Sequence, residues 1–163
     1  MKSADILFRR HSPWSKYFFF SIFLIIFATG SLQAEMLSIT ADKVNLRSGP
    51  GKNYSVTGEY GAGFPVEIVE RNKNWVKVKD FEKDTGWVHK SFLTGDPHMI
   101  IKANKNTEEK INIRKEPGSK NKIVGKACYG VVFKTVQVQD DWVEVQHESG
   151  LKGWINSSFL WGY

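Results

Sequence analysis

Cysteine is nearly missing from this chain. Cys128 is the only one in 163 residues, so no intramolecular disulfide can staple the fold. With no cysteine near the N-terminal apolar run, lipid attachment through a lipobox is excluded as well. Phosphate-binding loops are also missing, since Gly58, Gly61 and Gly63 do not make a GxGxxG and no P-loop occurs. His89, His98 and His147 are scattered, none at metal-ligand spacing. Cys128 has no histidine near it in sequence to activate it and reads as a small, partly buried hydrophobe at a turn. Nothing after Ala34 carries the 3.6-residue period of a long helix. These absences leave no constellation for catalysis, a metal or a cofactor, and the expectation is a non-enzymatic chain.

The N-terminus has the pattern of an export signal. Lys2, Arg9, Arg10 and Lys16 precede a run of 12 residues, Tyr17 to Ala28, apolar but for Ser21, which fits a secretory h-region and is short for a spanning helix of about 20. Thr29, Gly30, Ser31 and Ala34 supply small residues for a signal peptidase, with cleavage expected after Ala34. The alternative reading is an uncleaved anchor, which would be the protein's one attachment to a membrane. The residues after Arg9-Arg10 do not continue a twin-arginine motif, so Sec-type export to the periplasm, or otherwise out of the cytoplasm, is expected. Without residues 1–34 the balance falls from 23 basic against 17 acidic residues to 19 against 16, a net charge of +3. That mild charge removes most of the support for a nucleic-acid partner. The local cluster Lys115, Lys120, Lys122 and Lys126 reads as a solvated turn surface.

What remains is one unit written twice. Residues 44–95 recur without a gap at 111–162, at a constant offset of 67. Asn45, Arg47, Trp75, Gly86, Trp87 and Phe92 return as Asn112, Arg114, Trp142, Gly153, Trp154 and Phe159. A unit of about 60 residues can carry its own core but is too small to enclose a large active site. Within each copy the period is two: Phe64, Val66 and Ile68 alternate with Pro65 and Glu67, and Val76 and Val78 with Lys77 and Lys79. That is the pattern of half-buried strands. Turn chemistry at 48–51, 61–63, 72–74 and 84–86 separates the runs. The expected organisation is a signal segment over 1–34, a first small barrel over 36–96 and a second over 99–163, with a break at Thr94 to His98. Matching Met99-Ile100-Ile101 to Met36-Leu37-Ser38 leaves four extra residues in the second copy, and the insertion, Asn104 to Lys110, is expected to be exposed.

Val44-Asn45-Leu46-Arg47 followed by Gly49-Pro50-Gly51, then Trp75-Val76-Lys77-Val78, Gly86-Trp87-Val88 and Ser91-Phe92-Leu93, resembles the bacterial SH3-like (SH3b) family. The match covers both copies, and the ending Phe159-Leu160-Trp161-Gly162 is similar to that of tandem SH3-like proteins exported by Gram-negative bacteria. The resemblance implies an all-β chain of two tandem SH3-like barrels of five to six strands, with no catalysis by the barrels. It also implies a role in binding cell-wall or peptide ligands, such as peptidoglycan stem peptides or a periplasmic protein. An alternative is an adaptor that docks onto a separate wall enzyme without binding the wall. Strand parity sets Trp75 and Trp87 opposite the Val76, Val78 and Val88 face, and Trp142 and Trp154 likewise. By resemblance, Trp75, Trp87 and Phe92 would line one groove, and Trp142, Trp154 and Phe159 the other. The competing reading is that these rings plug the ends of a tiny barrel. Arg47 and Arg114, beside the glycine-proline turn, suit either a ligand carboxylate or the bracing of that loop. The basic loop beside aromatic rings suits an acidic peptide better than a proline-rich one.

Overall fold

The computed structural model describes residues 34–163. The signal or anchor segment read over 1–34 therefore lies outside the described residues, save for Ala34. The described chain is all-β, apart from two short 3-10 turns. The first copy contains β1 (Met36–Ile39), β2 (Val44–Arg47), β3 (Val56–Tyr60), β4 (Pro65–Asn72), β5 (Trp75–Lys79), β6 (Thr85–His89) and β7 (Leu93–Thr94). The second contains β8 (His98–Ile101), β9 (Ile111–Arg114), β10 (Ile123–Ala127), β11 (Val132–Gln139), β12 (Trp142–Gln146), β13 (Lys152–Asn156) and β14 (Leu160–Gly162). Each copy is a seven-stranded sheet, ordered β3-β2-β6-β5-β4-β1-β7 and β10-β9-β13-β12-β11-β8-β14. Every recorded pairing is antiparallel. The short pairs β1–β7 and β8–β14 bring the count above the expected five or six strands.

Alternation positions the core as expected. Val76, Val78 and Val88 are essentially inaccessible, as are Val143, Val145 and Ile155, and each triplet belongs to a separate apolar cluster. The repeated Gly-Trp step has a steric cause. A Cβ added at Gly86 would stand 2.5 Å from Leu46 Cγ, and one at Gly153 would stand 2.7 Å from the Arg114 carbonyl oxygen. Here β2 and β6, or β9 and β13, cross too closely for a side chain. Val69 and Val136 are half exposed because register shifts between Ile68 and Glu70 and between Thr135 and Gln137 leave one residue unpaired at each bulge. Thr135 stands where the first copy has Ile68, and its hydroxyl is buried without a hydrogen-bond partner. A Thr135→Val exchange keeps the shape and removes that cost, so it should stabilise the second barrel by about 1 kcal/mol in a denaturant melt.

Two expectations need correction. Pairing registers equate Leu37, opposite Val66, with Met99, opposite Phe133, and Ser38, opposite Pro65, with Ile100, opposite Val132. The copies are thus offset by 62 at this strand, and the insertion is five residues rather than four. Aligning methionine to methionine slips the strand by one residue, which exchanges its two faces. Cys128 is exposed rather than partly buried, in the turn between β10 and β11.

The slip matters because the outward face of this strand is covered. Met99 and Ile101 belong to the second core, so Ile100 points away from it, yet only 1% of it is accessible. Ser38 and Pro65 are likewise buried on the outward face of the first sheet. Both barrels fall within one compact unit, and strands β8 and β14 stand against β4. A Cβ added at Gly162 would be 3.3 Å from that of Pro65. Aromatic rings run on from there: Tyr60 stacks on Phe64 at 4.5 Å, Phe64 meets Phe81, and Phe81 meets both Tyr129 and Trp161 of the second barrel. At the rim, Glu82 receives Lys105 Nζ at 2.8 Å and the Tyr129 hydroxyl.

The Lys105 hydrogen bond, followed by that of Tyr129, holds the Glu82 carboxyl below its ordinary value of 4.5. A carboxyl depressed in the folded state stabilises above its unfolded pKa and loses that contribution as pH falls through the folded one. The contact between the barrels should therefore loosen in acid below about pH 4.5, and Glu82→Gln should flatten that part of the dependence. Melting temperatures of both chains between pH 7 and pH 3 check this.

Candidate functional site

Two grooves occupy equivalent places on the two barrels. The first, of about 380 Å3, is lined by Lys43 of the turn before β2 and by Val44, Asn45 and Arg47 of the strand itself. Lys52, Trp75, His89, Ser91 and Phe92 complete it. The second, of about 510 Å3, uses Lys110, Ile111, Asn112, Arg114, Ser119, Trp142, Asn156 and Phe159, all at the offset of 67. Asn104 and Glu109 of the inserted loop extend it. A larger cleft of about 670 Å3 between the barrels is mostly polar and occurs once. The grooves are the stronger candidates, because the same positions build a concavity twice on independent cores.

Local structure explains why these side chains converge. Trp75 begins β5 opposite His89, the last residue of β6, so both stand at the end of the sheet. Their rings meet edge to face at 5.4 Å, and His89 meets Phe92 at 6.4 Å. His89 also caps the 3-10 turn Lys90–Phe92, its ring accepting from the Ser91 backbone N–H. That cap fixes where Phe92 emerges. Asn156 does the same in the second copy through Oδ1, which accepts from the Ser158 N–H at 3.1 Å.

The arginines brace their loops. Arg47 Nη1 donates to the carbonyls of Lys52 at 3.1 Å and Tyr54 at 2.8 Å. Arg114 Nη1 donates to that of Asn121 at 2.7 Å. Each guanidinium thus holds the glycine-proline loop against β2 or β9 and still lines its groove.

Of the eight residues named from sequence, six line the two grooves: Trp75, Phe92 and Arg47 the one, Trp142, Phe159 and Arg114 the other. Trp87 and Trp154 are not. They do face away from the main cores, since Trp87 is opposite Lys77 and Arg47 in the register. Only 9% and 6% of them is accessible, however, and neither lines a groove. The reason is their place along the strand: each is the middle residue of β6 or β13, flanked by Lys77 and Arg47 or by Glu144 and Arg114. Trp75 and Trp142 open their strands and stay partly exposed. The residue that sequence reasoning passed over is His89. Its signal was its spacing, two positions after Trp87, on the same face and opposite Trp75.

Comparison with known proteins follows the repeat. A family model described as bacterial SH3 domain matches residues 40–95 and again 107–162. The chain is 26% identical over 161 residues to "Putative N-acetylmuramoyl-L-alanine amidase YrvJ" of Bacillus subtilis (strain 168), covering 90% of this chain and 31% of that protein. It is 32% identical over 80 residues to YgiM of Escherichia coli (strain K12), covering 47% of this chain and 39% of that protein. The chain thus spans well under half the length of the curated relatives it matches. Among solved structures it is similar to an NlpC/P60 family protein from Bacillus cereus ATCC 10987, at 13% identity and a TM-score of 0.35, over 79% of this chain and 56% of that one.

Proposed function

The chain belongs to the bacterial SH3 domain family, and on that premise we propose that it is an exported, non-enzymatic binding protein whose two modules recognise peptidoglycan peptides. The observation that carries this reading is the twice-built groove, in which a partly exposed tryptophan and a phenylalanine stand beside at least one lysine and a loop-bracing arginine. Aromatic faces give contact area at small entropic cost, and the cations favour a ligand bearing carboxylates, as wall stem peptides do. Export rests on the signal-like pattern of residues 2–34. The wall as target draws on the amidase named among the relatives. The non-enzymatic reading draws on the scattered placement of His89, His98 and His147 in the sequence and on the domain family to which the chain belongs.

A second reading is favoured by the share of that amidase the chain spans, 31%. Modules of this kind form part of a longer wall-acting protein there, so these barrels would dock onto a periplasmic protein or a separate wall enzyme. Sedimentation with purified peptidoglycan sacculi separates the two. The wall reading expects the full chain to pellet with sacculi and the Trp75→Ala/Trp142→Ala double variant to stay in the supernatant. A folded wild-type chain that remains soluble at saturating sacculi overturns it in favour of a protein partner.

A further inference from the structure

We propose that the two grooves are not equivalent: the first selects a peptide bearing a free carboxylate, and the second does not. The proposal rests on reading the grooves as ligand sites and assigns them different chemistry. Because their strands, arginine braces and tryptophans correspond, a difference in selectivity has to arise where the linings differ. Lys52 becomes Ser119, which removes a cation. Glu109, carried by the inserted loop, adds a carboxylate that the first groove lacks. The lining charges are therefore Lys43, Arg47 and Lys52 with no acid in the first groove, against Lys110 and Arg114 with Glu109 in the second.

The difference is sharper once the arginines are set aside, since each already donates to its own loop. Two lysines then face an incoming carboxylate in the first groove, and one lysine offset by one glutamate in the second. Lys115, Lys120 and Lys122 belong to the second barrel's turn but do not line the groove. His89 adds to the contrast. Its ring stands edge to face with Trp75 and Phe92, whereas Asn156 supplies an amide in its place. With Nδ1 accepting the Ser91 N–H, the neutral imidazole carries its proton on Nε2, a donor beside the aromatic wall. The inserted loop is held in shape by its own bonds, Asn104 Nδ2 to the Glu109 carbonyl and the Glu109 N–H to Thr107 Oγ1. Glu109 therefore stands on a formed wall of the second groove.

The test reads each groove separately in the full chain, through the indole N–H signals of Trp75 and Trp142, identified with Trp75→Phe and Trp142→Phe. The probes are N-acetyl-alanyl-glutamate α-amide and its glutamine counterpart, equal in shape and differing in charge. Trp75 should respond to the glutamate probe at about ten-fold lower concentration than to the glutamine one, a preference that added salt erodes. Trp142 should show little preference. Lys52→Ser should reduce the selectivity at Trp75, and Ser119→Lys with Glu109→Gln should transfer it to Trp142. Equal preference at both indoles, a stronger preference at Trp142, or a Trp75 signal unmoved by either probe overturns the proposal. Sacculus sedimentation on the same samples keeps the two ideas apart. Sacculus binding with equal grooves removes the selectivity alone, while selective grooves without sacculus binding remove the wall target alone.

Discussion

Trp87→Ala and Trp154→Ala should each unfold their barrel, while Trp75→Ala and Trp142→Ala should leave both barrels folded and remove most ligand affinity. Truncating a buried tryptophan costs about 3 to 5 kcal/mol, and a domain of this size without disulfide or metal has about that much stability in total. Trp87 and Trp154 are buried mid-strand in the interior of their sheets, so their loss leaves a cavity that neighbouring strands cannot close. Trp75 and Trp142 are partly exposed at strand starts, and their removal should cost about 1 to 2 kcal/mol. As aromatic anchors of a groove they should nonetheless dominate binding. Val78→Ala is the control, destabilising the first barrel while the folded fraction still binds. A denaturant melt beside a sacculus assay on each variant checks all of this. If Trp75→Ala unfolds its barrel, the ring is a plug and the groove assignment fails with it.

Ile100→Asp should separate the barrels without unfolding either. Ile100 is 1% accessible but points away from the second core, on the face that packs towards β4 of the first barrel. A carboxylate there has no partner, and burying it would cost several kcal/mol. Opening the interface returns it to water at the smaller cost of exposing Pro65, Phe81 and Trp161. The wild-type chain should melt in one transition, the variant in two, with a larger radius of gyration in solution scattering. Fragments cut between Asp96 and Pro97 should behave as the variant does, each melting cooperatively but below the intact chain. A single unshifted transition for Ile100→Asp would show that the interface adds nothing to stability.

Strand existence and inward parity were determined by the sequence itself, because alternation is a local property of an extended backbone. Val76 and Val78, or Val143 and Val145, must share a face whatever surrounds them. The repeat likewise implied two equivalent sets of groove positions, and Trp75, Phe92 and Arg47 could be named beside Trp142, Phe159 and Arg114. What parity cannot say is what covers an outward face. Trp75 and Trp87 are on the same side of the first sheet, yet one is partly open and the other closed, because Trp75 opens β5 at the end of the sheet while Trp87 is the middle residue of β6, flanked by Lys77 and Arg47. Ser38, Pro65 and Ile100 are outward by alternation and buried by the other barrel. The Met36–Met99 match placed β8 one residue out, since side-chain identity at a strand edge carries no register; the hydrogen-bond ladders of β1 with β4 and of β8 with β11 do. His89 entered the groove for the same reason: its neighbour Trp75 is distant along the chain and becomes adjacent only when β5 pairs with β6. Local chemistry specified the elements, and non-local pairing decided which of their outward faces remained open to a ligand.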